Sequence, residues 1–381
     1  MKIAIFTDTY APEINGVCNT LLRLTEYFRA HNIEYLVVAP EYPDDLPAGT
    51  GSATNIIRVK SVRAPFYPQS RLALPSYAYL RQRLEAFQPD IVHVTTPLTI
   101  GWSGHKFARE SSLPLVISYH TNFDQYLTFY KLEYLRNWLN RYMYWFHREA
   151  DLILAPSKET QQSLIYKGYQ NVGIWSRGID CFTFRPHSIA ANTCPPEPFT
   201  FLYVGRLSAE KQLDVLLDAI EIVNRTCEVN TRFIFTGDGP LRETMETRQL
   251  ANLAFTGFLS GEQLANVYRS AHCFVSPSSS ETFGNVMLEA MASGLPVICA
   301  DRGGQLDFAR NGYNSLHFRA DCADSLAKTI MTAIDNPPYI QQLAMHARAT
   351  ATERTWDSIF ARLLNDYEQV IQTKTRLFLP A

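Results

Sequence analysis

Short apolar runs of four to six residues recur along this chain, each next to a longer amphipathic stretch: "KIAIFTD", "EYLVVAP", "DIVHVTT", "PLVISYH", "DLILAPS" and "NVGIWSRG". A continuous apolar run suits a strand buried on both faces, and such strands belong to parallel sheets with helices on each side. After the proline-rich segment "RPHSIAANTCPPEPFT" (185–200) the pattern starts again with "FLYVGR", "RFIFTGDG", "NLAFTG", "CFVSPS" and "PVICAD". The chain therefore reads as α/β: two Rossmann-like, doubly wound domains, with ligand expected between them at the carboxyl ends of the strands. The expected division is 1–190, 191–360, and a terminal helix at 361–381 that returns to the first domain.

At 381 residues the chain exceeds one ordinary core, in keeping with two domains. Hydrophobic residues make up 46% and charged residues 19%, which excludes disordered and fibrous classes. A formal net charge of −2 gives no global argument for nucleic-acid binding, so a basic site has to be local. The seven cysteines, Cys18, Cys181, Cys194, Cys227, Cys273, Cys299 and Cys322, form no CxxC pair, and their odd number fits reduced thiols. The amino-terminal apolar run ends at Phe6, far short of the roughly 20 residues that span a bilayer. The expected location is the cytoplasm, with any membrane contact peripheral, at the inner face of the cell membrane.

Two acids stand out in "SSSETFGNVMLEAMASG": Glu281 and Glu289, eight positions apart around Gly284 and Asn285. In one continuous helix they would be turned roughly 80° and about 12 Å apart along the axis, too far to share a proton. They suit two separated parts of one extended ligand. Glu281 is expected in a loop and Glu289 one turn inside a helix whose first amides, at Gly284 and Asn285, form an anion or polar-ligand site. A capping acid and a solvated helix face account for each glutamate taken singly. In "FLYVGRLSAEKQLDVLLDAI", Arg206 follows a buried strand and Lys211 lies at a helix start, where both can hold a diphosphate through charge-assisted contacts. Gly16, opening the helical pattern of "PEINGVCNTLLRLTEYF", lets backbone N–H groups approach an anion, although an ordinary strand-to-helix loop fits it equally. His120 ends a buried strand in "SYHTNFDQY", with Asp124 one turn on.

Together these stretches resemble the retaining glycosyltransferases of the two-Rossmann-domain (GT-B) type, specifically family four. The resemblance runs from "PEINGV" through "SYHTNFDQY", "VGRLSAEKQLDVLLDA" and "FTGDGP" to "SETFGNVMLEAMASGLPVI". It implies that Glu281 holds the donor sugar's hydroxyls, Glu289 the nucleotide ribose, and Arg206 with Lys211 the diphosphate above the Gly16 loop. Phe283, Gly284 and Asn285 complete the donor contacts, and His120 matches the family's active-site histidine. One departure is "DRGGQLDF", where Asp307 stands in place of the proline and glutamate pair of many relatives. The resemblance also implies front-face attack with retention, the leaving diphosphate helping to remove the acceptor proton, and no metal or cofactor beyond the nucleotide-sugar donor.

For the acceptor, "QYLTFYKLEYLRNWLNRYMYWFHREA" sets Leu127, Tyr130, Tyr134, Trp138, Tyr142 and Trp145 on one helical stripe flanked by Lys131, Arg136, Arg141 and Arg148. A stripe of that kind suits an anionic membrane surface or a lipid acceptor, and packing on its own sheet explains it as well. The pattern resembles enzymes that place a hexose, mannosyl or sulfoquinovosyl unit on diacylglycerol or a related lipid. The expected function is transfer of a hexosyl unit from a UDP- or GDP-sugar to a glycolipid or diacylglycerol hydroxyl. A soluble sugar or small-molecule acceptor is the near alternative. A non-catalytic nucleotide-sugar sensor is the alternative of another class, though it would not need Glu281 or His120. Nothing in the sequence defines an oligomeric state.

Overall fold

The computed structural model describes residues 1–13, 15–42, 55–64, 67–120, 133–186 and 198–378. Its first sheet contains β1 (Lys2–Phe6), β2 (Glu34–Pro40), β3 (Ile56–Val59), β6 (Ile91–Val94), β7 (Leu115–Ser118), β8 (Leu152–Ala155) and β9 (Val172–Ile174), and a hairpin of β4 (Ser61–Ala64) and β5 (Tyr67–Ala73) lies outside it. The strand order is β3-β2-β1-β6-β7-β8-β9, parallel throughout. The second sheet holds β10 (Phe199–Val204), β11 (Thr231–Thr236), β12 (Leu253–Gly257), β13 (Cys273–Ser276), β14 (Val297–Ala300) and β15 (Ser315–Phe318) in the order β12-β11-β10-β13-β14-β15, also parallel. The winding reverses between β1 and β6 in one sheet and between β10 and β13 in the other. At such a reversal the two connections leave in opposite directions and open a crevice at the strands' carboxyl ends.

Period-two side-chain alternation explains why these strands are apolar on both faces. On β10, Phe199, Phe201 and Tyr203 join the core under the helices Leu213–Thr226 and Ala323–Asp335. Leu202 and Val204 point the other way, into the core under the helices Asn285–Ala292 and Pro337–Thr352.

Packing divides the chain into two units: Met1–Thr121, Tyr134–Ser176 and Asp357–Ala381 make up the first, and Arg177–Trp356 forms the body of the second. The division thus falls at 176/177, earlier than the expected 190/191. The reason is local: the Ile179 N–H donates to the Arg354 carbonyl at 2.9 Å, and Ile179 bridges Thr355, so the chain is committed to the second unit directly after Ser176. The return to the first unit begins at Asp357 instead of 361. On the helix Trp356–Phe378, Phe360, Leu363 and Tyr367 are fully buried at helical spacing. The Tyr367 hydroxyl meets Nδ1 of His93 at 2.5 Å, and the Lys374 ammonium reaches Asp151 at 2.8 Å. His93 is itself fully buried on β6, with Nε2 2.7 Å from the Ser118 hydroxyl, and burial depresses its pKa to about 3. It is a neutral strut of the first unit.

The six described cysteines are free thiols, and Cys194 lies outside the described residues, as do residues 187–197 of the proline-rich segment. Among the described residues, no helix is long and apolar enough to cross a membrane.

Candidate functional site

In the second unit the chemistry collects at the β10/β13 reversal. After β10 the chain runs through Gly205 and Arg206 into a short 3-10 turn, Ala209–Lys211. After β13 it runs through "SPSSSETFG" into the helix Asn285–Ala292. The two connections are stitched together. The Gln212 carboxamide oxygen accepts from the Ser279 N–H at 2.6 Å and its hydroxyl at 2.8 Å, while the Ser280 hydroxyl donates to the Glu210 carbonyl at 3.1 Å. Gln212 also donates to Asp321, which pairs with Arg302 at 3.2 Å. A third connection joins through the Gly304 N–H, which donates to the Glu281 carbonyl at 2.7 Å. The "GGQLD" segment is thus tied to the backbone of the first glutamate. Asp307 itself turns to the arginine at 354, which donates to its carbonyl at 3.2 Å.

Close backbone layering fixes the strand ends. A Cβ on Gly237 would sit 2.0 Å from the Gly205 carbonyl oxygen, so a side chain there would push apart the loops that carry Arg206 and "GDGP". Beneath them the buried Tyr203 hydroxyl donates to the Arg206 carbonyl at 2.9 Å.

Lys211 and Glu281 meet directly, with Nζ 2.5 Å from Oε1 and both side chains mostly buried. The cation and the acid assigned to different parts of a ligand are therefore partners of one another. Glu289 lies inside the helix Asn285–Ala292, and it is not a solvated face residue. Its carboxylate receives the hydroxyl of Tyr268 at 2.9 Å, and burial raises its pKa to about 7 against the lowering effect of that hydroxyl. The two glutamates contact different partners, as their spacing requires. Gly284 precedes the helix at φ +95°, where a Cβ would lie 2.9 Å from the Met287 methyl. No side-chain hydrogen bond caps this helix, and its amino end directly follows the connection that carries Glu281. Phe283 is 3% exposed, and its ring packs on that of Phe308 with centroids 5.1 Å apart.

In the first unit, Asp8 occupies the β1/β6 reversal. Its buried carboxylate accepts from the Thr96 hydroxyl at 2.8 Å, the Ile100 N–H at 2.9 Å, and more weakly from Thr99 and Gly101, capping the helix Thr99–Glu110. Desolvation raises its pKa, and those four donors oppose the rise. Gly16 is the first residue of the helix Gly16–Ala30, capped by Asn15, whose side chain accepts from the Cys18 N–H at 2.9 Å. His120 follows β7 by two residues, its ring 5.5 Å from that of Trp175, which in turn stands 5.3 Å from His93.

The aromatic stripe splits in two. Tyr134 is 77% exposed and Trp138 66%, whereas Tyr142 donates to the Pro97 carbonyl at 2.7 Å and Trp145 lies against His105. The expectation of one continuous apolar face holds only at the amino end of the helix Arg136–His147, because Met143, Phe146 and His147 turn its other end into the core. Leu127, Tyr130 and Lys131 lie outside the described residues, as does Asp124. Arg148 pairs with Glu149, and Arg136 is half-buried. Leu98, just before the neighbouring helix Thr99–Glu110, and Trp102 on it are each 44% exposed, and Lys106 stands over the Trp102 ring at 5.5 Å.

The profile of Glycosyltransferase Family 4 matches residues 14–181, and that of Glycosyl transferases group 1 matches residues 184–352. This chain is a GT-B glycosyltransferase of family four. Its relatives include the GDP-mannose-dependent alpha-mannosyltransferase of Mycobacterium tuberculosis, 30% identical to this glycosyltransferase over 98% of each chain. Another is the sulfoquinovosyl transferase SQD2 of Arabidopsis thaliana, 28% identical over 96% of this chain and 73% of that one. Among solved structures, sucrose-phosphate synthase from Thermosynechococcus elongatus superposes with a TM-score of 0.79 at 18% identity, covering 98% of this glycosyltransferase and 99% of the synthase, a likeness of fold. Sequence reasoning missed Tyr268, Gln212 and Asp8. Only Asp8 carried a signal, as an acid two residues beyond the first strand.

Proposed function

We propose that this glycosyltransferase moves a hexosyl unit from a nucleotide-diphosphate sugar to a hydroxyl of a membrane lipid, with retention at the anomeric carbon. The observation that carries the donor half is the Lys211–Glu281 pair at the β10/β13 reversal, beside the uncapped helix that bears Glu289. A diphosphate needs cations and amide donors, and a pyranose and a ribose need acceptors for their hydroxyls. The second unit presents both kinds of group on connections that are hydrogen-bonded to one another.

In this reading Lys211, Arg206 and the amides at Gly284 and Asn285 hold the diphosphate and stabilise the charge that grows on it as the glycosidic bond breaks. Glu281 orients the sugar and Glu289 the ribose. The attacking hydroxyl gives its proton to the departing diphosphate oxygen, so no protein nucleophile is consumed. The cations replace a metal ion. Transfer is therefore expected to persist in excess EDTA, and a divalent-ion requirement that adding the ion back satisfies would contradict this part of the reading.

The acceptor half rests on the first unit's surface. Tyr134 in the turn Glu133–Leu135, Trp138 on the helix Arg136–His147, and Leu98 and Trp102 at the start of the helix Thr99–Glu110 expose apolar side chains, with Lys106 and the exposed Arg141 on the same two helices. Aromatic rings with basic neighbours suit the headgroup level of an anionic bilayer, where each cation contributes on the order of 1 kcal/mol. Two relatives are named for a diacylglycerol glycolipid: the alpha-monoglucosyldiacylglycerol synthases of Streptococcus pneumoniae and Acholeplasma laidlawii. The protein is expected to float with anionic liposomes at low ionic strength and to release as salt rises. Combined Trp102→Ala, Trp138→Ala and Arg141→Gln changes should abolish flotation without lowering the thermal midpoint. Flotation of that variant at the wild-type level would place the membrane contact elsewhere, and absence of flotation at any salt would favour a soluble acceptor.

A further inference from the structure

Gln212 follows Lys211 and precedes the helix Leu213–Thr226 with its backbone left-handed, at φ +52° and ψ +42°. Glycine adopts that conformation freely, whereas a side chain there crowds the backbone. A glutamine in this place has to supply something that glycine cannot. It makes no capping bond to its own helix. Its carboxamide reaches across the site instead: the oxygen accepts from the Ser279 N–H at 2.6 Å and from the Ser279 hydroxyl at 2.8 Å, which fills both lone pairs, and the nitrogen donates to Oδ1 of Asp321. Asp321 is left-handed as well, at φ +60°, and Arg302 holds its other oxygen at 3.2 Å.

These bonds close a ring of connections around Glu281. Gln212 joins Asp321, Asp321 joins Arg302, and two residues beyond Arg302 the Gly304 N–H donates to the Glu281 carbonyl at 2.7 Å. Two residues before Glu281, Ser279 returns the ring to Gln212. The Lys211–Glu281 ion pair spans the same gap, one residue from Gln212 on one side and two from Ser279 on the other.

We propose that Gln212 is a positioning residue for transfer: its carboxamide closes this ring and so holds the Lys211 ammonium and the Glu281 carboxylate in a fixed relation to one another. The proposal rests on the reading of those two residues as the contacts to diphosphate and sugar; Gln212 acts through them and touches neither. The fold has other means of joining the two connections. β10 and β13 pair directly, Phe201 with Cys273 and Leu202 with Phe274, and the Ser280 hydroxyl already ties one connection to the Glu210 carbonyl of the other. What the carboxamide adds is the alignment of side chains, which is where a small displacement at a reacting centre is costly.

The test follows kcat, KM and the melting midpoint of the full chain, with UDP-glucose and GDP-mannose as donors and diacylglycerol vesicles present, read as nucleoside diphosphate released. Gln212→Gly keeps the left-handed backbone and loses the carboxamide. It is expected to lower kcat roughly ten- to a hundredfold while KM for the donor moves by less than about threefold. Its melting midpoint should change little, because relief of the backbone offsets the lost bonds. Gln212→Glu sets two carboxylates against each other across the clasp and should lower kcat further. Adding Asp321→Asn to it restores a donor facing an acceptor, so kcat should return to within about threefold of wild type. Wild-type kcat in Gln212→Gly would overturn the proposal, as would a double variant that regains the melting midpoint without regaining kcat. Lys211→Ala separates the two levels: normal turnover by that variant brings down the donor reading, whereas its inactivity beside a fully active Gln212→Gly brings down the Gln212 proposal alone. Wild-type protein that releases no nucleoside diphosphate from either donor brings down the donor reading and the proposal with it.

Discussion

Lys211→Ala and Glu281→Ala are each expected to lower turnover by about a hundred- to a thousandfold, the scale of losing one preorganised electrostatic contact to a transition state, and to differ in what they do to binding. Removing Lys211 takes away a charge-assisted contact of about 1.5–3 kcal/mol to the diphosphate, so UDP or GDP should bind roughly ten- to a hundredfold more weakly. It also strands Glu281, whose Oε1 rests 2.5 Å from the Lys211 ammonium. Removing Glu281 leaves the ammonium free to serve phosphate alone, so nucleoside diphosphate affinity should hold or rise while sugar orientation is lost. Both side chains are more than three-quarters buried, so the melting curve of each variant belongs in the same experiment. Near-normal transfer by Glu281→Ala would remove this residue from the sugar site. Equal loss of diphosphate affinity in both variants would show that the pair acts as one structural unit.

His120→Ala is expected to lower kcat by at least about a hundredfold with little change in donor affinity, because a small misplacement at a reacting centre costs that much. The structure supplies the competing account. His120 leans on the ring of Trp175, which is 2% exposed and stands next to the buried His93. A purely structural His120 would appear as a lower melting temperature with kcat intact. Measuring kcat, KM for donor and thermal midpoint together separates these outcomes, and an unchanged kcat would return His120 to a packing role.

Much of the scaffold was legible because buried parallel strands have to be apolar on both faces. The runs that end at Phe6, Val94, Val204 and Ser276 are the four strands flanking the two reversals. β3 and the β4–β5 hairpin escaped notice, since "IIRV" and "SVRA" mix Arg into short segments that carry no clear period. The expected unit boundary followed proline content, whereas the change of unit at 176/177 goes with the backbone bonding of Ile179 to Arg354.

The site was legible in part. Spacing alone separated Glu281 from Glu289, and the structure gives them distinct partners, Lys211 and Tyr268. What spacing cannot reveal is which distant side chain will be the partner: Tyr268 precedes Glu289 by a strand and a loop, and its hydroxyl matters only once the fold buries it. The aromatic stripe failed in the opposite direction. Helical periodicity grouped Trp138 with Trp145, but Met143 and Phe146, at the carboxyl end of the helix, turn that end into the core.

Transfer of label from GDP-[14C]mannose and from UDP-[14C]glucose to an organic-phase lipid, with diacylglycerol and phospholipid vesicles as acceptors, tests the central claim most directly. Label from one of the two donors is expected to enter the lipid phase with wild-type protein and to stay in the aqueous phase with Lys211→Ala. Label that remains water-soluble with both donors, while the protein binds them, would contradict transfer to a lipid.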